Sequence, residues 1–120
     1  MFKVVIAGGR DFSDYDLLKK WCDYYLEKRM QAGEQIVIIS GAARGADTLG
    51  ERYAKERGFT VDSHPADWNK NGKAAGYIRN KEMVDIADAV IAFWDGKSKG
   101  TQHTIKLAES KGIPCKVISY

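Results

Sequence analysis

The sequence predicts a single α/β domain, a three-layer fold built on a five-stranded parallel sheet with the strand order 3-2-1-4-5. Three observations predict it. Five short apolar runs alternate with segments of helical period. Several of those runs are continuous and β-branched (Val4-Val5-Ile6, Ile36-Val37-Ile38-Ile39, Val90-Ile91), as suits strands covered on both faces. Glycine or proline then closes most helical segments. Such alternation implies right-handed crossovers with helices on both faces of the sheet. The favoured order makes strands 2, 1 and 4 neighbours and sets the switch point between 1 and 4.

The strands are read over residues 2–7, 35–40, 59–63, 87–94 and 115–119, the last introduced by Pro114. The first helix opens at Ser13, with Asp16 three residues on in a capping-box-like start. Leu17, Leu18, Trp21, Cys22, Tyr25 and Leu26 trace its apolar face until Gly33 stops it. Its aromatic residues Trp21, Tyr24 and Tyr25 serve either the core or a face for a second copy, and a homodimer stays open on that ground. The second helix spans 46–57, with Leu49, Tyr53 and Ala54 inward and Gly58 as terminator. The third spans 73–86, and the fourth 101–111, closed by Gly112 and Pro114. Residues 64–72 read as a lid. The chain shows no repeat, linker or low-complexity tract.

A length of 120 residues fits one domain, and 44% hydrophobic with 29% charged residues allows a packed core. The net charge of +3 suits an anionic ligand but falls short of the basic stripe of a dedicated DNA binder, so nucleic acid is not expected as a partner. No apolar stretch approaches the ~20 residues that cross a bilayer. The opening MFKVVIAGG lacks the pattern of a secretory signal, and a cytoplasmic location with no membrane partner is the expectation. Cys22, Cys115, His64 and His103 have no ligand-like spacing, so neither a metal, a cofactor nor a disulfide is expected.

The chemistry is expected where the three neighbouring strands end. Gly8-Gly9-Arg10-Asp11-Phe12 follows strand 1, Ser40-Gly41-Ala42-Ala43-Arg44-Gly45-Ala46-Asp47 follows strand 2, and Asp95-Gly96-Lys97-Ser98-Lys99-Gly100-Thr101 follows strand 4. Each runs into a helix N-terminus. Glycine lets backbone N–H groups approach a ligand, and helix N-termini favour anions. Tight βα turns alone would account for any one of these loops, less readily for three on adjacent strands. The dinucleotide fingerprint G-x-G-x-x-G is absent after strand 1. Gly96-Lys97-Ser98 imitates the end of a P-loop, but the glycine that motif requires earlier falls at Ile91, inside a strand.

Arg79 shares a helix face with Ala75, Met83 and Ile86. An arginine there needs an anionic partner, either an internal aspartate or a ligand phosphate met by the planar guanidinium. Asn80 beside it supports the same network. Arg10 and Arg44 are either phosphate clamps or solvated loop arginines. Asp11, Asp47, Asp67 and Asp95 lie at the same edge, where carboxylates accept from ribose hydroxyls. Asp47 has a second reading, stabilising a helix dipole from its first turn. Trp68 and Phe12, where exposed, offer faces for a base, and packing is the alternative for both.

Gly8-Gly9-Arg10-Asp11-Phe12, Ser40-Gly41 through Gly45-Ala46-Asp47, Ala66-Asp67-Trp68, Ala75-Gly76 with Arg79-Asn80, and Phe93-Trp94-Asp95-Gly96 through Gly100-Thr101 form one recurrent set. Together they resemble the YspA/YpsA-related branch of the SLOG superfamily, small Rossmann-like domains, over nearly the whole chain. The resemblance implies binding of a nucleotide or nucleotide-derived signal such as an ADP-ribose-like molecule. Relatives in that superfamily include the LOG phosphoribohydrolases, the DNA-processing Smf/DprA proteins and molybdenum-cofactor carriers. LOG enzymes pair an arginine on the third helix with a glutamate in P-G-G-x-G-T-x-x-E. Arg79 matches the first, but Thr104 stands where the glutamate belongs. Threonine cannot act as that carboxylate.

The expectation is therefore a module that senses or sequesters a phosphorylated nucleotide-derived small molecule. Backbone amides of Gly8, Gly9, Gly41, Gly45, Gly100 and Thr101 would hold phosphate, with Arg79 adding charge and the aspartates reading ribose. Two alternatives stand beside it. One is LOG-like hydrolysis of an N-glycosidic bond, with Arg79 and Asp95 as the catalytic candidates; the other is a nucleic-acid-binding domain of the Smf/DprA kind.

Overall fold

A computed structural model describes residues 1–120. The strands β1 (Phe2–Gly8), β2 (Ile36–Ser40), β3 (Thr60–Ser63), β4 (Ala89–Trp94) and β5 (Cys115–Ser119) form one sheet in the order β3-β2-β1-β4-β5. Every pairing in it is parallel. The predicted order is the observed one. β1 shows why its run is continuous. Val4 and Ile6 pack into one core cluster and Val5 and Ala7 into the other, so alternate side chains serve opposite faces.

Helices α1 (Tyr15–Gln31) and α2 (Ala46–Arg57) cover the first face, burying Leu18, Cys22, Leu26, Tyr53 and Ala54. The opposite face is covered by α4 (Ala75–Ile86) and α5 (Lys99–Lys111) through Met83, Val84, Ile105 and Ala108. Between β3 and α4 a single helical turn, α3 (Trp68–Asn71), and a 3-10 turn (Gly72–Ala74) occupy the segment read from sequence as lid and start of the third helix. Glycine closes α2 and α5 as expected, Gly58 and Gly112 both taking left-handed φ.

Three local readings are corrected. Asp14, not Ser13, caps α1, its carboxylate accepting the Leu17 N–H at 3.1 Å. Tyr15 N–H donates to the Ser13 carbonyl, which sets Ser13 outside the helix. Ile86 is 39% exposed, so the apolar face shared with Arg79 ends at Met83. Phe12 is buried in the core between the rings of Phe93 (5.1 Å) and Tyr120 (4.8 Å), which removes it as a base-stacking face. Cys22 and Cys115 are free thiols, the first buried and the second half-buried. Of the aromatic trio on α1, Trp21 and Tyr25 pack against the core while Tyr24 is exposed. No helix is long and apolar enough to cross a membrane.

Candidate functional site

The loops after β1, β2 and β4 meet in one cleft of about 900 Å³ at the carboxyl ends of the strands. Parallel strands all deliver their following loops to the same edge, and the reversal of strand order between β1 and β4 parts the crossovers there. Of the residues singled out from sequence, Gly8, Gly9, Arg10, Asp11, Arg44, Asp47, Trp68, Arg79, Asn80, Asp95, Gly100 and Thr101 line this cleft. Gly41 lines an adjoining hollow of about 310 Å³, which shares Arg10, Arg44, Trp68 and Arg79 with the main cleft. Ser40, Gly45, Asp67 and Gly96 line neither.

Those four have structural work instead. Ser40 is buried and donates to Glu51 at 2.7 Å while accepting the Ala42 N–H at 3.1 Å, which shapes the loop after β2. Gly45 lies against the main chain of Gly9 and Arg10, where a side chain would collide with the Gly9 carbonyl, and its φ of +81° suits glycine. Through this contact the first N–H of α2, from Ala46, is satisfied by the Gly9 carbonyl at 3.2 Å. The two loops are thus bolted together, and that amide is spent inside the protein. Asp67 caps α3 by accepting the Lys70 N–H at 3.0 Å. Gly96 turns the loop after β4 with φ +82°.

The aspartates divide the same way. Asp11 accepts the Tyr120 hydroxyl at 2.8 Å. Asp95 accepts the N–H groups of Lys97 (2.8 Å) and Ser98 (2.9 Å), which hold its carboxyl below the usual range. Both are fastened by one oxygen. Asp47 is different: it is 8% exposed, accepts only the Ala43 N–H at 3.2 Å, and burial pushes its carboxyl up to about 6.

Arg79 reaches across from α4 and donates from Nη1 to the Gly41 carbonyl. Its Nε donates to Asn80 Oδ1 at 2.9 Å. Asn80, itself buried, turns its amide to the Gly100 carbonyl (3.3 Å) and to His103 Nδ1 (3.3 Å), so one network spans α4, α5 and the loop after β2. Arg79 forms no ion pair within the chain; the groups that hold it are neutral. Desolvation weakens its charged form, and the nearby charge of Asp47 works the other way. At the start of α5, Ser98 Oγ accepts the Thr101 N–H, whereas the N–H groups of Lys99 and Gly100 have no acceptor in the chain. Thr104 lines the cleft, buried, with its hydroxyl donated back to the Gly100 carbonyl at 3.2 Å.

Sequence reasoning missed Lys73, Tyr77, Lys97 and Ser98, which also line the cleft. Lys97 and Ser98 stood inside a loop already singled out, and the loop's composition was the signal. Lys73 and Tyr77 flank the start of α4 with no pattern to mark them. Five cationic side chains (Arg10, Arg44, Lys73, Arg79, Lys97) face three carboxylates (Asp11, Asp47, Asp95). Its lining therefore carries more cationic than acidic side chains.

A family model described as YAcAr, the YspA, cpYpsA-related SLOG family, matches residues 2–71. The chain is 38% identical over 120 residues to the Gene 61 protein of Mycobacterium phage D29, covering 95% of this chain and 94% of that one. The fold is similar to DNA processing protein A of Streptococcus pneumoniae, with a TM-score of 0.79 at 18% identity, covering all of this chain and 51% of that protein. It is also similar to DNA processing protein A of Helicobacter pylori, solved for its single-stranded DNA binding mode (TM-score 0.66, 22% identity, 99% of this chain and 66% of that one). The structure of TM1055 matches at a TM-score of 0.67 and 22% identity, over 96% of this chain and 72% of that one. This chain therefore spans about half the length of the pneumococcal protein.

Proposed function

The chain belongs to the YspA, cpYpsA-related SLOG family, and from that premise we propose that its cleft binds a phosphorylated, nucleotide-derived small molecule as a sensing or sequestering site. The observation that carries this reading is Arg79. A half-buried guanidinium whose hydrogen bonds go only to neutral acceptors makes no direct ion pair where three strand ends converge, and Asp47 nearby acts on it without touching it. A ligand phosphate would give it a directly bonded anion, and the planar fork suits its oxygens. The unclaimed N–H groups of Lys99 and Gly100 at the N-terminus of α5 add donors for the same charge. Glycosidic hydrolysis finds less support, because position 104 offers a hydroxyl committed to its own helix in place of a carboxylate.

Isothermal titration with nucleoside monophosphates and ADP-ribose, with free base and ribose phosphate assayed in parallel, tests the proposal. Binding without turnover, lost in Arg79→Ala, is the expected result; turnover abolished by the same substitution would replace binding with hydrolysis. Nucleic acid is a second reading on one observation, that two proteins of the same fold are DNA processing proteins. The fold thus does not argue against it as the modest net charge of +3 does. Binding of single-stranded DNA with a steep salt slope would favour it.

A further inference from the structure

His103 stands on α5 just past Gly100, half-buried and outside the lining of the main cleft. Its ring packs against Tyr77 of α4, with centroids 4.7 Å apart and planes at 84°. Its Nδ1 lies 3.3 Å from Asn80 Nδ2, and this contact has one workable polarity.

Asn80 is buried, and its amide meets three neighbours. Arg79 Nε can only donate, so it fixes Oδ1 as the acceptor at 2.9 Å. The Gly100 carbonyl can only accept, so it fixes Nδ2 as the donor at 3.3 Å. The second amide hydrogen then goes to His103 Nδ1, which must offer a lone pair. A protonated imidazole carries hydrogen on both nitrogens and has no lone pair to offer. Turning the amide over to meet that proton would set donor against donor at Arg79 and acceptor against acceptor at Gly100.

We propose that His103 is a positioning residue whose neutral ring, acting through Asn80, keeps Arg79 seated in the cleft. A proton on His103 unseats the guanidinium and weakens the hold of the cleft on an anion. That consequence rests on the phosphate-binding reading above; the seating of Arg79 does not.

Burial holds the imidazole below its ordinary pKa, in keeping with a neutral ring. From α4 it is faced by Tyr77 and shares a hollow with Lys81, Glu82 and Asp85, of which Lys81 and Asp85 pair with each other at 3.0 Å. Lys99 and Lys106 flank it on α5 itself. Among the strands under α5, β4 carries no charged residue, Lys3 stands at the amino end of β1, and Lys116 of β5 lies beside Tyr25 of α1. A proton acting by its charge alone would draw an anion in, so the relay predicts the opposite sign.

NMR titration of the two histidines, His64 and His103, reads the relay in the unliganded protein. His103 is expected as the tautomer protonated at Nε2, and Asn80→Ala raises its pKa by removing the bond to the neutral ring. Arg79→Met raises it as well, and does so much less once Asn80 is gone. Loss of the positive charge acts through space in both backgrounds, whereas the freed amide acts in one. Equal shifts in the two backgrounds overturn the relay, as does a ring protonated at Nδ1.

Titrating ADP-ribose, whose diester phosphates keep their charge, into wild type and His103→Gln reads the consequence. From about pH 8 to about pH 5, wild-type affinity falls about tenfold relative to His103→Gln, whose amide oxygen accepts from Asn80 at either pH. Protonation of Asp47 is common to both proteins and cancels in the ratio. A flat ratio, or one favouring wild type at low pH, overturns the proposal. Binding at neither pH overturns the ligand reading alone, and the His103 titration still decides the seating of Arg79. Dispersed amide spectra establish that each variant compared is folded.

Discussion

The guanidinium of Arg79 donates to the main-chain carbonyl of Gly41, a residue 38 positions earlier at the tip of β2. That bond ties α4 to the loop after β2 and sets Arg79, like Asp47, against Gly41. A side chain at Gly41 would begin 2.6 Å from Arg79 Nη1 and 2.7 Å from Asp47 Oδ2. The site's cation and its buried acid thus both crowd the space that a side chain at position 41 would take.

Gly41→Ala accordingly displaces both groups. Its backbone is not in the left-handed region, so the chain still folds. Affinity for phosphate-bearing ligands falls about tenfold or more, with a modest drop in melting temperature of the order of a 1–3 kcal/mol overpacking cost. Titration calorimetry and a thermal melt on the same sample separate the two effects.

Asp47 makes stability depend on pH. Its carboxyl titrates near 3.8 when unfolded and is pushed up to about 6 by burial, with Glu51 adding to the rise and the Ala43 N–H, Arg79 and Arg10 opposing it. The folded state therefore holds this proton more tightly. Its contribution is complete below about pH 4 and is lost as pH rises through about 6. Asp47→Asn, neutral throughout, gains up to about 3 kcal/mol over the wild type between pH 4 and pH 8, at 1.36 kcal/mol per unit. Urea denaturation at the two pH values checks it; a difference that does not change with pH refutes it.

Asn80→Ala strips the Nε of Arg79 of its acceptor and unties α4 from the Gly100 carbonyl. A buried donor left unpaired costs about 1–3 kcal/mol, and the loosened guanidinium binds more weakly. Loss of ligand affinity beyond the loss of stability, measured with pyrophosphate, distinguishes positioning from folding.

Asp23→Ala is the converse case. The fully buried Tyr53 donates its hydroxyl to Asp23 at 2.7 Å, and Arg57 pairs with the same carboxylate, on the helix face away from the cleft. Removing it destabilises the fold by about 1–3 kcal/mol and leaves ligand affinity unchanged. A changed affinity would mean that α1 and α2 communicate with the cleft.

The legible part of the site was its location. Apolar runs such as Ile36-Val37-Ile38-Ile39 declare buried parallel strands, and the handedness of crossovers fixes which loops become neighbours. From that alone Gly8, Arg10, Arg44, Arg79 and Thr101 fall on one cleft. What each aspartate does there was not legible. Asp67 and Asp95 serve the main chain of their own turns, and Asp11 is engaged by Tyr120 from 109 residues away. Short polar side chains serve caps and ligands with equal ease, and local spacing does not distinguish them.

By itself, the sequence determined the sheet, its order and the edge where the glycine loops gather, because hydrophobic period and chain chirality act over a few residues at a time. Only the tertiary structure decided that Phe12 enters the core while Trp68 stays exposed, and that Arg79 is left without an ion pair. Those outcomes depend on partners brought together by the folded chain, and a side chain's burial and charge balance are properties of that neighbourhood.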